Sequence, residues 1–337
     1  MSVRASLNGS YPRGAGLARL YSRLHSGRLS REGFERGVRA YTLKLFKLLK
    51  SSGITVFTDG MLRWDDILNP LIGFVEGVEV DGLVRFFDNN FFVRTPVVKD
   101  ELRVGEGNPI PEWFETSLRL AEEVFGNAGF TLKQPLPGPI TLAEFSVNRH
   151  YSSYWALMRG WREGVLEPLI RSLALRGLKV VEIHEPYLTW PGLRRSRLAG
   201  AVAELAELLS FCRDLGVDAW VLTYFGYLGR VGKHLSRVAE SAVVGIDPHV
   251  RGARKAPHRL VRDYGLRRVA LGLLDARNTK AERDREVRSA VKAVLRAGAE
   301  EVYVGNNAPL DFLPEPVAAR KLRRLGRAVS KFFGGCE

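Results

Sequence analysis

Six short apolar runs, each breaking off at a polar tip, constrain the fold of this chain more than any other feature. They run from Val56 to Gly60, Val180 to Pro186, Trp220 to Tyr224, Val243 to Pro248, Leu271 to Asn278 and Val302 to Asn307. Continuous Val/Ile/Leu runs suit strands buried on both faces, as in parallel sheets, and helical stretches separate them, so the units read strand, helix, strand, helix. The expected class is α/β, a (β/α)8 TIM barrel occupying residues 1–337 as a single elaborated domain. In such a barrel the C-terminal ends of the strands gather on one face, and that face carries the site. Strands are placed at Ile54–Thr58 and Thr131–Pro135 as well, and the eighth near Leu7–Tyr11. Helices are expected near 17–26, from Ser30 as an N-cap with Phe34, Val38, Tyr41, Leu45 and Leu48 following at helical spacing, over Trp113–Phe125, over about 153–177 and over Val317–Phe333. The alternation from Val78 to Phe86 predicts a β-hairpin excursion near 70–110 above the barrel.

At 337 residues the chain is slightly long for one barrel and short for two ordinary domains. No apolar stretch reaches membrane-spanning length and the first residues lack a signal-peptide core, so a cytoplasmic location is expected, with no membrane partner. Two cysteines, Cys212 and Cys336, make no disulfide framework and have no local zinc-site spacing. The net charge of +14 favours an anionic partner. The plainer reading is charge spread over solvated helix faces. The clusters from Arg251 to Lys255 and from Arg320 to Arg324 come without interleaved aromatics, so a nucleic-acid-binding role ranks last. A single glutamine among many Arg and Glu residues suggests a thermophile.

Five segments, in order, carry a resemblance. They are Gly9-Ser10-Tyr11-Pro12-Arg13, Asp59-Gly60-Met61-Leu62-Arg63, Gly138-Pro139-Ile140-Thr141-Leu142, Glu185-Pro186 and Asp275-Ala276-Arg277-Asn278. Together they make the chain similar to the cobalamin-independent methionine synthases, including the single-barrel archaeal members, from Gly9 to the closing helix. The resemblance implies methionine biosynthesis by methyl transfer to the thiol of homocysteine. It also implies a zinc ion that holds the thiol as its nucleophilic thiolate, on a His-x-Cys pair after one strand, a carboxylate after the next and a Cys near the last.

At those positions the chain departs from the family. Tyr224-Phe225-Gly226 stands in place of the His-x-Cys pair, Ala308 falls near the last cysteine, and only Asp247 remains as a carboxylate. Such a set does not make a tetrahedral zinc site, so no metal ligand and no cofactor is assigned. His184 stands where the family has Asp before Glu-Pro, Met61 follows Gly60 in place of an acid, and Arg277 replaces the catalytic His. Asp275 to Thr279 and Leu310 to Pro314 resemble the N-terminal barrel of the long, two-barrel enzymes, which has lost the metal and helps hold the acidic tail of folate.

Catalytic candidates are therefore His184, Glu185 and Arg277. Substrate-binding candidates are Gly9, Ser10, Arg13, Asp59, Arg63, Thr141, Phe145, Tyr224, Asp247, Asp275 and Asn278. Each has a structural alternative. His184 is weighed equally as a hydrogen-bonded strand end and as a ligand contact, whereas a carboxylate such as Glu185 on an apolar strand end needs a partner. Arg277, Arg13 and Arg63 fit ion pairs or a carboxylate clamp. Tyr187, Trp190, Trp64 and Phe145 fit packing or stacking on a pterin-like ring. Three functions follow: a zinc-less subunit that binds folate or another methyl donor and works with a zinc-bearing barrel; an autonomous methyltransferase with His184 as base; and a basic nucleic-acid-binding protein.

Overall fold

The computed structural model describes residues 1–250 and 257–333, so the basic run Arg251 to Lys255 and Cys336 lie outside the described residues. Eight parallel strands form the central sheet: β1 (Ser2–Ala5), β2 (Val56–Thr58), β5 (Thr131–Pro137), β7 (Val180–His184), β8 (Asp218–Leu222), β9 (Ala242–Ile246), β10 (Arg268–Leu274) and β11 (Glu301–Asn306). Around the sheet they follow chain order, and β11 pairs back onto β1. The remaining seam, between β1 and β2, is bridged by Ser6 against Val56, with the Leu7 amide donating to the Val56 carbonyl at 3.0 Å. The result is the expected (β/α)8 barrel. One strand sits earlier than the sequence reading placed it. β1 is Ser2–Ala5, and the Gly/Pro-rich stretch from Asn8 to Gly14 forms the loop above it.

Between β2 and β5 the chain makes the expected excursion, β3 (Val75–Arg85) antiparallel to β4 (Phe92–Val104), to which the short β6 (Val147–Asn148) adds in parallel. The helices are α1 (Ala15–His25), α2 (Arg31–Ser51), α3 (Ile110–Phe125), α4 (Pro139–Phe145), α5 (Tyr154–Gly160), α6 (Glu167–Leu175), α7 (Pro186–Thr189), α8 (Arg195–Asp214), α9 (Leu235–Ala239), α10 (Pro257–Tyr264), α11 (Asp284–Arg296) and α12 (Glu315–Phe333). Ser30 caps α2 as expected, its side chain accepting from the Gly33 amide. A wider π-turn, Trp161–Leu166, joins α5 to α6. There Gly164 lets the helix approach the Leu102 carbonyl, and a Cβ would come within 2.0 Å of that oxygen.

Two apolar layers follow from the period of two along each strand. Outward-facing side chains such as Val181, Ile183, Val244 and Val302 pack under the helices in the main core. A smaller cluster of Val56, Val180, Trp220, Leu222, Val243, Ala270 and Tyr303 fills the barrel interior. Val180 is inward, so Glu182 and His184, two and four residues on, point inward as well and climb towards the C-terminal mouth.

Candidate functional site

Four buried polar side chains stand in a column inside the barrel. Lys133 on β5 forms an ion pair with Glu182 Oε2 and donates to Asn8 Oδ1 at 2.7 Å and Ser6 Oγ at 3.2 Å. Its ammonium also lies 4.1 Å from the centre of the Trp220 ring, within cation–π range. Glu182 Oε1 accepts from the Gly9 amide at 2.6 Å and from His184 Nε2 at 2.7 Å. His184 Nδ1 meets the Tyr224 hydroxyl at 3.1 Å. An ionised carboxylate only accepts, so Nε2 carries the hydrogen and the tyrosine donates to Nδ1. Burial alone would raise the Glu182 carboxyl, but Lys133 and His184 outweigh it and hold it below the ordinary carboxylate range. Gly9 takes φ of +61° directly over this column, and a Cβ there would come within 2.9 Å of His184 Cε1.

Glu185 follows His184 and turns to the first turn of α4. Its Oε1 accepts from the Ile140 amide at 2.8 Å, and its Oε2 from the Thr141 amide at 2.9 Å and the Thr141 hydroxyl at 2.6 Å. Burial pushes this carboxyl up from its ordinary 4.5 to about 8, against the pull of those three donors. A carboxyl raised on folding binds more protons in the native chain than in the unfolded one between those two values. Its stabilising contribution is therefore complete below about pH 4.5 and fades as pH rises through about 8. Denaturation midpoints followed from acid to alkaline pH are expected to fall across that window, and Glu185→Gln to flatten the slope. The same slope in wild type and Glu185→Gln would contradict the assignment.

Two strands round from β7, Asp247 at the end of β9 accepts from the Phe225 amide (3.3 Å), the His249 amide (2.9 Å) and Asn307 Nδ2 (2.9 Å), with Arg277 Nη2 3.6 Å away. Burial raises its carboxyl above the ordinary range against those partners. Arg277 also lies 5.5 Å from the Phe225 ring centre and is one-third exposed. Asp275 accepts from the Arg277 amide and faces His249 Nδ1 at 3.8 Å, whereas the side chain of Asn278 closes a turn onto the Lys280 amide.

The remaining candidates divide by what they touch. Ser10 donates to Asp311 at 2.5 Å. Asp59 accepts from the Met61 amide and the Ser117 hydroxyl. Arg63 is buried against Glu35, and Arg13 reaches the Trp64 carbonyl and Asp65. Of the aromatic candidates, Phe145 and Tyr187 pack edge to face at 5.0 Å. Phe86 and Phe87, at the tip of the hairpin, enter the mouth, where Phe86 stacks on Phe145 at 5.7 Å and 16°. Phe87 meets Tyr187, Trp190 and Phe225 at 4.9, 5.0 and 5.4 Å. Glu182 and Lys133 were missed as site residues by the sequence reading. Their signal was parity: Glu182 shares the inward face of its strand with His184, and a lysine sits in the middle of the buried Thr131–Pro135 strand.

The donor set does not fit the zinc that the family resemblance implies. Tyr224 is committed to His184, Gly226 and Ala308 carry no donor, and Asp247 is held by two amides and an asparagine. Among the described residues no group of three or more His, Cys, Asp or Glu side chains is placed to hold a metal ion. Nor is any described helix long and apolar enough to cross a membrane.

Fold and mouth together define a (β/α)8 barrel with its polar groups at the strand ends and a hairpin folded over them. Comparison with known proteins places that barrel. The chain is 23% identical over 334 residues to a methionine synthase of Pyrococcus furiosus, covering 96% of this chain and 91% of the relative. It is 26% identical over 318 residues to a methionine synthase of Saccharolobus solfataricus, covering 93% and 90%. A B12-independent methionine synthase from Shewanella sp. W3-18-1, solved with selenomethionine, superposes with a TM-score of 0.77 at 17% identity, covering 97% of each chain. A B12-independent methionine synthase described as putative, from Listeria monocytogenes, superposes with 0.74 at 13%, covering 99% and 100%. No protein-family model matches the chain. Along nearly its whole length the chain is similar in sequence to archaeal methionine synthases, and it shares its fold with B12-independent methionine synthases.

Proposed function

We infer that this chain takes part in methyl transfer to homocysteine as a zinc-less subunit that binds the methyl donor and works beside a zinc-bearing barrel. The observation that carries this reading is the mismatch at the metal positions, in a chain otherwise similar end to end to methionine synthases. Tyr224, Gly226, Asp247 and Ala308 offer one carboxylate, and it is already engaged. Without a metal, a thiol near neutral pH stays largely protonated. The alternative, His184 as the activating base, is disfavoured because both ring nitrogens are occupied and the side chain is 1% exposed. The donor is a small molecule, folate or a related methyl carrier, whose carboxylate faces Arg277, the partly exposed guanidinium beside Phe225. A protein location in the cytoplasm suits this role.

Mixing tests it. The purified chain is expected to give no methionine from homocysteine and methyl donor by itself, and to raise turnover when a zinc-bearing methionine synthase barrel is added. Turnover by the chain alone would overturn the subunit reading.

A further inference from the structure

A cavity of about 660 Å³ lies on the outside of the barrel, between α1, α2, α12 and the loop after β1. Small-molecule sites have volumes of roughly 300–1,000 Å³. No residue of the inner column lines this space, and neither does Arg277 or Phe225, so it is separate from the mouth. Its floor is apolar, where Leu45 of the main core meets the buried Leu17 and Leu62 of a smaller cluster, with Leu48 beside them. Its sides are charged. Lys44, Lys47 and Arg323 line it against one carboxylate, Glu315. Glu315 is already engaged: Oε1 accepts from Lys44 at 2.9 Å, and Oε2 lies where a Cβ on Gly14 would come within 2.0 Å. The side chains of Lys47 and Arg323 make no ion pair or hydrogen bond among the described residues.

Tyr11 supplies a second, independent sign. It is 6% exposed and lines the cavity, yet its hydroxyl has no hydrogen-bond partner among the described residues. Burial, and after it the Glu315 carboxylate, push the phenol up against the pull of Arg323, so the hydroxyl keeps its proton as a donor. Both of those charges line the same cavity, which puts the hydroxyl on its side.

We propose that this cavity binds a small organic anion, an apolar ring or chain carrying a carboxylate, with its body on the leucines and its carboxylate met by Lys47, Arg323 and the Tyr11 hydroxyl. Covering the leucines removes apolar surface from water on both sides. A hydroxyl donating to an anion makes one of the stronger hydrogen bonds, and it answers the group that burial leaves unpaired. A neutral molecule of the same shape would use the floor and leave the cations idle. An inorganic anion would use the cations and leave the floor wet. The site goes beyond the donor-binding reading and does not depend on it.

Calorimetric titration with 2-naphthoate and with its neutral amide, 2-naphthamide, tests the site. The acid is expected to bind at least tenfold more tightly than the amide. Lys47→Gln combined with Arg323→Gln changes two exposed side chains and should remove that preference. Tyr11→Phe keeps the ring and should weaken the acid severalfold in a chain whose circular dichroism is unchanged. Arg277→Ala should leave binding of the acid as it was. Equal binding of acid and amide, no heat from either, or a preference that survives the double substitution overturns the proposal. Binding of the acid that disappears in Arg277→Ala places it in the mouth, which overturns the proposal and leaves the donor-binding reading standing. Binding that persists in Arg277→Ala, in a chain that never raises the turnover of a zinc-bearing barrel, supports the cavity and removes the donor-binding reading.

Discussion

Replacing Glu182 by alanine is expected to cost the fold about 3–5 kcal/mol, the usual penalty for stranding one member of a buried ion pair. Lys133 is fully buried and pairs with no other carboxylate among the described residues, so its ammonium would keep Asn8, Ser6 and the Trp220 face. The Gly9 amide and His184 Nε2 would lose their acceptor in the same step. Chemical denaturation of wild type and variant measures the difference. Removing both charges, as Lys133→Met with Glu182→Leu, should recover a large part of the loss, because a buried pair replaced by apolar side chains of similar volume is often close to neutral. A Glu182→Ala variant within about 0.5 kcal/mol of wild type, the range of an ordinary surface substitution, would contradict the network.

Gly138→Ala is expected to be strongly destabilising as well. The backbone there is ordinary, with φ of −85°, so the difficulty lies in space and not in conformation. A Cβ at this position would sit 2.1 Å from Glu185 Oε1 and 2.3 Å from its carboxyl carbon. The carboxylate has no free direction to retreat, because Ile140 and Thr141 hold both oxygens. Overpacking of this kind costs about 1–3 kcal/mol, and loss of the α4 contacts adds the roughly 1 kcal/mol typical of a missing helix cap. Thermal unfolding gives the first readout. Pairing Gly138→Ala with Glu185→Ala should relieve the clash, leaving the double variant less damaged than the sum of the two single ones; strict additivity would mean that the two residues do not share the space.

The barrel was legible because buried parallel strands write themselves as continuous Val/Ile/Leu runs, and Val180–His184 or Ala242–Ile246 admit little else. The hairpin was legible from the alternation around Val78–Phe86. β1 was harder. Ser2-Val3-Arg4-Ala5 is short and half polar, and its place is set by pairing with β11, which no local pattern announces. The site was legible only in part. His184, Glu185 and Tyr224 stand on strand ends and were singled out for that reason, yet their partners depend on which residues face across a closed barrel. Lys133 and Glu182 lie almost fifty positions apart in the chain and become neighbours only when β5 pairs with β7. The aromatic plug has the same origin. Phe86 and Phe87 reach Phe145, Tyr187 and Phe225 because the hairpin folds back over the mouth.

These features separate two layers of the molecule. The inner column of Lys133, Glu182, His184 and Tyr224 is closed from solvent and tied together by an ion pair and hydrogen bonds, which suits a part that holds the mouth in shape. Further out, Arg277 is one-third exposed beside Phe225, which suits contact with a ligand. Among the described residues neither layer brings together three or more His, Cys, Asp or Glu side chains placed to hold a metal ion.

The most direct test of that account is zinc analysis of the purified chain combined with calorimetric titration of homocysteine in the presence of zinc. The account predicts no stoichiometric zinc and no homocysteine binding by the chain alone. One tightly held zinc ion per chain, with homocysteine binding that depends on it, would contradict it and make the chain a complete synthase with ligands other than Tyr224, Gly226 and Ala308.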